Sequence, residues 1–141
     1  MASKTVKLGI IGYGNSAKNF HLPLIKAVPA IVVHAIVQRT PPSPDAKPGE
    51  HCTVDYPEAK HYDNVDALFA DAEIDLVLVA VGAMHFEYAK RALLSGKHVV
   101  TEKAFTTTSE EADELIELGK AAGKTVTVYH SRFLYIYELL W

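Results

Sequence analysis

The stretch Val6-Lys7-Leu8-Gly9-Ile10-Ile11-Gly12-Tyr13-Gly14-Asn15-Ser16-Ala17 decides how the rest of the chain is read. Val6, Leu8, Ile10 and Ile11 form a β-type apolar run that leads directly into Gly12-x-Gly14-x-x-Ala17 and then into residues at helical spacing. Strand, glycine loop and helix in that order are what a dinucleotide-binding βαβ unit requires. Gly12 allows the tight turn, Gly14 lets the backbone approach a pyrophosphate, and Ala17 lets helix and strand pack closely. The helix N-terminus adds unpaired N–H groups and the positive end of a dipole. The same glycine pattern also occurs as a plain turn in other α/β domains, and its place directly after a strand favours the nucleotide reading.

Bulk properties limit the alternatives. A chain of 141 residues has the size of one domain. Its formal net charge of −3 leaves no electrostatic footprint for nucleic acid. Cys52 is the only cysteine, so an internal disulfide is excluded; a metal site would have to rest on histidines and carboxylates, and none is expected. No apolar run approaches the roughly 18 residues of a membrane span. The opening Met-Ala-Ser-Lys lacks the apolar core of a signal peptide, and a cytoplasmic location without membrane partners is expected.

Along the chain, Ala17, Phe20, Leu24 and Val28 lie at helical spacing and are expected to face the sheet, with a kink at Pro23 near His21 and Leu22. Ile31 to Val37 reads as a strand buried on both faces. Pro41 to Pro57 holds five of the seven prolines and reads as an irregular surface excursion around Cys52. Lys60 to Tyr62 is a short strand, Val65 to Asp71 a short helix, and Leu76 to Val81 a central strand. A helix from His85 to Ser95 stops at Gly96, and His98 to Thr101 is a strand. Thr108 and Glu111 open a helix closed by Gly123, and Thr125 to Tyr129 is the last strand. This alternation predicts an α/β fold: a Rossmann-like, doubly wound parallel sheet in three α/β/α layers, forming a single domain.

The end of the second strand bears on the cofactor. No Asp or Glu lies between Ile31 and Pro44 to hold a ribose 2′-hydroxyl. Arg39, with Thr40 and Ser43 beside it, would instead clamp a 2′-phosphate, which favours NADP over NAD. The alternative is a solvated arginine at a strand end.

The segments Gly12-Tyr13-Gly14-Asn15-Ser16-Ala17-Lys18-Asn19-Phe20-His21-Leu22-Pro23, Gly96-Lys97-His98-Val99-Val100-Thr101-Glu102-Lys103, Ser109-Glu110-Glu111-Ala112 and His130-Ser131-Arg132 together carry a resemblance. The chain resembles the N-terminal half of the glucose–fructose oxidoreductase/inositol dehydrogenase (Gfo/Idh/MocA) family from about Val6 to about Arg132. That resemblance implies an NAD(P)-dependent oxidoreductase acting on a sugar, inositol or related polyol. In the family the lysine of a Glu-Lys-Pro motif lies beside the nicotinamide and the substrate hydroxyl. Lys103 matches it and is the implied catalytic residue, with Glu102 able to orient it. His85 matches a histidine that lies near the cofactor, although a lone histidine at a helix start is also an ordinary structural residue. The implied cofactor-binding set is Gly12, Tyr13, Gly14, Asn15, Ser16, Ala17, Arg39, Thr40, Ala80, Val81, His85, Glu102 and Lys103. His130 and Arg132 match the segment that leads toward the family's second domain.

The chain also departs from the family. Ala104 stands where the family has proline, Ala80-Val81-Gly82 replaces a Thr-Pro-type turn, and the resemblance does not extend into the family's second, substrate-binding domain. Two readings follow. One is an NADP(H)-binding domain of a sugar or polyol dehydrogenase, residues 1–130. The other is a non-catalytic nucleotide-binding sensor or regulatory module. Residues 131–141 put eight apolar or aromatic side chains in the last nine positions, and self-association through this tail is expected.

Overall fold

A computed structural model describes residues 5–130 of the chain. The order is β1 (Val6–Ile11), a π-helical turn (Ala17–His21) running into α1 (Leu22–Lys26), β2 (Ile31–Val37), α2 (Cys52–Asp55), β3 (Lys60–Tyr62), α3 (Val65–Ala70), β4 (Leu76–Val79), α4 (His85–Leu94), β5 (His98–Thr101), α5 (Ser109–Ala122) and β6 (Val126–Val128). The strands form one sheet in the order β3-β2-β1-β4-β5-β6, parallel at every pairing. The strand order reverses between β1 and β4, so a crevice opens at their C-terminal ends.

Alternation along the strands builds two cores. Ile11, Val37, Val77, Val79 and Val99 pack under α3, α4 and α5 through Leu68, Phe69, Ala89, Leu93 and Leu115. Leu8, Ile10, Ile36 and Leu78 point the other way and meet Ala17, Leu22 and Cys52. These are the expected three layers. The α5 cap has the expected chemistry: Glu111 N–H donates to Thr108 Oγ1 at 3.2 Å, and Gly123 ends the helix at φ +61°.

The structure departs from the sequence reading in several places. Phe20, Leu24 and Val28 do not face the sheet; they are 56%, 55% and 44% exposed. The reason is the π turn, closed by Leu22 N–H donating to Ala17 C=O. A wider turn shifts the helical phase, so that Ala17, His21 and Leu22 face inward. Where a kink is expected, the π turn passes directly into α1, which takes Pro23 in its first turn. Val32 is half exposed, so β2 is buried on both faces only over Ala35 to Val37. The proline-rich excursion contains the short helix α2, and Cys52 on it belongs to the core, where burial pushes its thiol up to about 11. β4 ends at Val79, two residues early, and β6 loses a residue at each end. Arg132 and the apolar tail lie outside the described residues.

Candidate functional site

The turn after β1 needs its first glycine for space as well as conformation. Gly12 has φ +101°, and a Cβ there would lie 2.6 Å from Val81 Cγ1. Gly14 is the opposite case: a Cβ there would meet nothing within 4 Å, so its backbone borders open space. Gly12 N–H donates to Val37 C=O at 3.1 Å, fixing the turn against β2. The amides of Tyr13 to Ser16 find no acceptor among the described residues. Open space over unpaired donors at a helix start is a cradle suited to an anion.

Beside that loop, at the C-terminal ends of β4, β5 and β6, lies a cleft of about 620 Å³. It is lined by Ser16, Phe20, Ala80, Gly82, His85 and Glu102, together with Lys103, Tyr129 and His130. Phe20 and the π turn thus serve the cleft wall.

Glu102 is its electrostatic centre. One carboxylate oxygen accepts from the Ser16 hydroxyl and pairs with His21 Nε2 at 2.7 Å, while the other accepts from Lys103 N–H at 3.0 Å. Burial alone would raise its pKa, but these hydrogen bonds outweigh burial and hold the carboxyl below its ordinary value. His21, 6% exposed, also packs against Tyr129, with ring centroids 4.5 Å apart and planes tilted by 58°.

His85 opens α4 and is likewise 6% exposed. Its Nδ1 lies 2.6 Å from Ala104 C=O, which can only accept, so Nδ1 carries the proton. Nε2 is left as a buried acceptor with no partner among the described residues. The Lys103–Ala104 peptide bond, where the family has proline, is cis. Lys103 itself is exposed at the cleft.

Of the residues named from sequence, Ser16, Ala80, His85, Glu102, Lys103 and His130 line this cleft, Gly12, Gly14 and Asn15 lie in the loop beside it, and Ala17 opens the π turn, buried in the core. The Tyr13 side chain turns away, its hydroxyl bonded to Asp55, which leaves only its backbone for a ligand. Val81 packs on Gly12. Arg39 and Thr40 stand exposed beyond β2, outside the cleft. Lys97, within the Gly-Lys-His-Val motif, is 3% exposed with Nζ donating to Asp71 C=O at 2.8 Å, a structural position. Sequence reasoning missed His21 and Tyr129, whose partners lie far away in the chain.

Fold and site together define an NAD-binding Rossmann domain of the oxidoreductase type. The family model described as "Oxidoreductase family, NAD-binding Rossmann fold" (GFO_IDH_MocA) matches residues 6–130. The chain belongs to the Gfo/Idh/MocA oxidoreductase family. An uncharacterised oxidoreductase of Schizosaccharomyces pombe is 38% identical over 129 residues, covering 90% of this chain and 34% of that protein. The scyllo-inositol 2-dehydrogenase (NADP(+)) IolW of Bacillus subtilis is 33% identical over 130 residues, covering 91% of this chain and 34% of that protein. A solved putative oxidoreductase from Bacteroides fragilis superposes with a TM-score of 0.81 at 35% identity, over 92% of this chain and 36% of that one. The chain spans about a third of the length of the curated relatives it matches. No helix among the described residues is long and apolar enough to cross a membrane.

Proposed function

We propose that the chain is the NADP(H)-binding part of a dehydrogenase that interconverts a secondary alcohol of a sugar or polyol and its ketone. The observation that carries this reading is the single cleft joining the glycine-loop residue Ser16 to Glu102, Lys103 and the unpaired Nε2 of His85. The loop amides and Gly14 would hold the pyrophosphate. Arg39 and Thr40 would hold the 2′-phosphate, since the end of β2 offers no carboxylate for a 2′-hydroxyl. The NADP(+) and inositol in IolW's name support the same choices.

When bound, the nicotinamide supplies the acceptor or donor of a hydride. Lys103, exposed at the cleft, would donate a hydrogen bond to the substrate oxygen and hold it while the C–H hydride leaves for the nicotinamide and the hydroxyl proton passes to solvent, giving the carbonyl. Glu102 holds the Lys103 amide. His85 Nε2 accepts from an N–H or O–H donor of the bound molecules. A cytoplasmic location and self-association through residues 131–141 belong to the same proposal.

The test is Arg39→Ala, with NADPH and NADH binding measured in parallel. A charge-assisted phosphate contact contributes roughly 1.5 to 3 kcal/mol, so NADPH binding should weaken about tenfold or more while NADH binding holds. Equal loss for both nucleotides would discard the 2′-phosphate role.

A further inference from the structure

We propose that His51, Cys52 and His61 form a binding site for a zinc-class divalent cation, away from the cleft. One ring nitrogen from each histidine and the Cys52 sulfur lie within 4.8 Å of one another. Bonds of about 2.0 to 2.3 Å to zinc put ligand atoms roughly 3.5 Å apart, so these atoms would close up by no more than roughly 1 to 1.5 Å. His51 and Cys52 are each 2% exposed, and the two imidazole rings meet edge to face with centroids 4.9 Å apart.

The outer contacts are those of metal-ligating histidines. His51 Nε2–H donates to Thr40 C=O at 2.9 Å, and His61 Nε2–H donates to Gln38 C=O at 2.8 Å. Because a carbonyl only accepts, both rings carry a proton on Nε2, which in the neutral imidazole leaves the lone pair on Nδ1, the pattern that fixes and orients a ligating imidazole. His51 Nδ1 currently accepts from the Thr53 hydroxyl at 2.8 Å and the Thr53 amide at 3.3 Å, contacts that a cation would replace. A thiolate and two imidazoles suit zinc, with a fourth position left for water.

The other cluster of ligand-type residues among those described, His34, Asp71 and Glu73, already holds a side-chain cation. Lys60 Nζ occupies its carboxylates at 3.0 and 3.1 Å, and Tyr62 donates to Asp71 at 2.9 Å. A cation at His51, Cys52 and His61 would tie α2 and β3 to residues 38–40, clamping the proline-rich excursion over the end of β2.

The test titrates the chelator-stripped chain with zinc against a chromophoric chelator and, separately, with cobalt followed by absorption. One ion per chain and a sulfur-to-cobalt charge-transfer band from Cys52, the only thiol, are expected. Cys52→Ser and His61→Ala should each weaken zinc binding at least about tenfold, and Asp71→Asn should not. Circular dichroism establishes that each variant is folded, and the wild-type cobalt band needs no variant. No saturable zinc binding, no charge-transfer band, or affinity lost in Asp71→Asn but kept in the other two would overturn the proposal.

Discussion

His21, at the end of the π turn, and Glu102, just past β5, are paired at 2.7 Å across 81 residues of sequence. Through Ser16 the same carboxylate reaches the glycine loop, and through its second oxygen it reaches the Lys103 amide. One side chain thereby links the loop expected to hold phosphates to the lysine expected to hold the substrate oxygen.

Glu102→Gln keeps the shape and removes the charge. A hydrogen-bonded charge in such a setting contributes about 1.5 kcal/mol, so the variant should be that much less stable near neutral pH. The folded carboxyl lies below its ordinary value, so its stabilisation is present above about pH 4.5 and disappears as pH falls through the folded value. Denaturation of both proteins from pH 7 to about pH 3 should show the gap closing in acid.

Gly12 and Gly14 should respond differently to alanine. Gly12→Ala forces a Cβ to 2.6 Å from Val81 at positive φ and should cost about 1 to 3 kcal/mol in thermal unfolding. Gly14→Ala meets nothing within 4 Å, so stability should hold while dinucleotide affinity falls.

Asp71 is held well below the usual carboxylate range. Burial opposes this, but donors from Glu73 N–H, Lys60, Tyr62 and His34 prevail. Asp71→Asn should lower stability by about 2 kcal/mol at neutral pH, as seen in urea unfolding. The difference should persist to lower pH than that of Glu102→Gln and fade only when the Asp71 carboxylate itself protonates.

The apolar segment 131–141 is expected to drive self-association. Sedimentation over a wide concentration range should show mass rising with concentration, and deletion of 131–141 should abolish the rise. A constant monomer mass would remove this expectation.

The sheet was legible in the sequence because β1 and β4 are apolar runs bounded by Gly12 and Asp75, patterns that few other folds accept. Helix phase was not legible around Phe20. Spacing arguments assume 3.6 residues per turn, and the π turn breaks that assumption where the cleft needs Phe20. α2 escaped notice because four residues among prolines show no period. Glu102 and Lys103 were found through a local motif, whereas His21 acts through a partner 81 residues away and left only the signal of its neighbour Pro23.

The most direct measurement of the central claim, that the bare amides after β1 await the phosphates of a dinucleotide, is a calorimetric titration of the chain with NADPH and with NADH. Saturable binding at one site per chain is expected, tighter for NADPH and weakened for both by Gly14→Ala. Heats no greater than dilution for both nucleotides would contradict it.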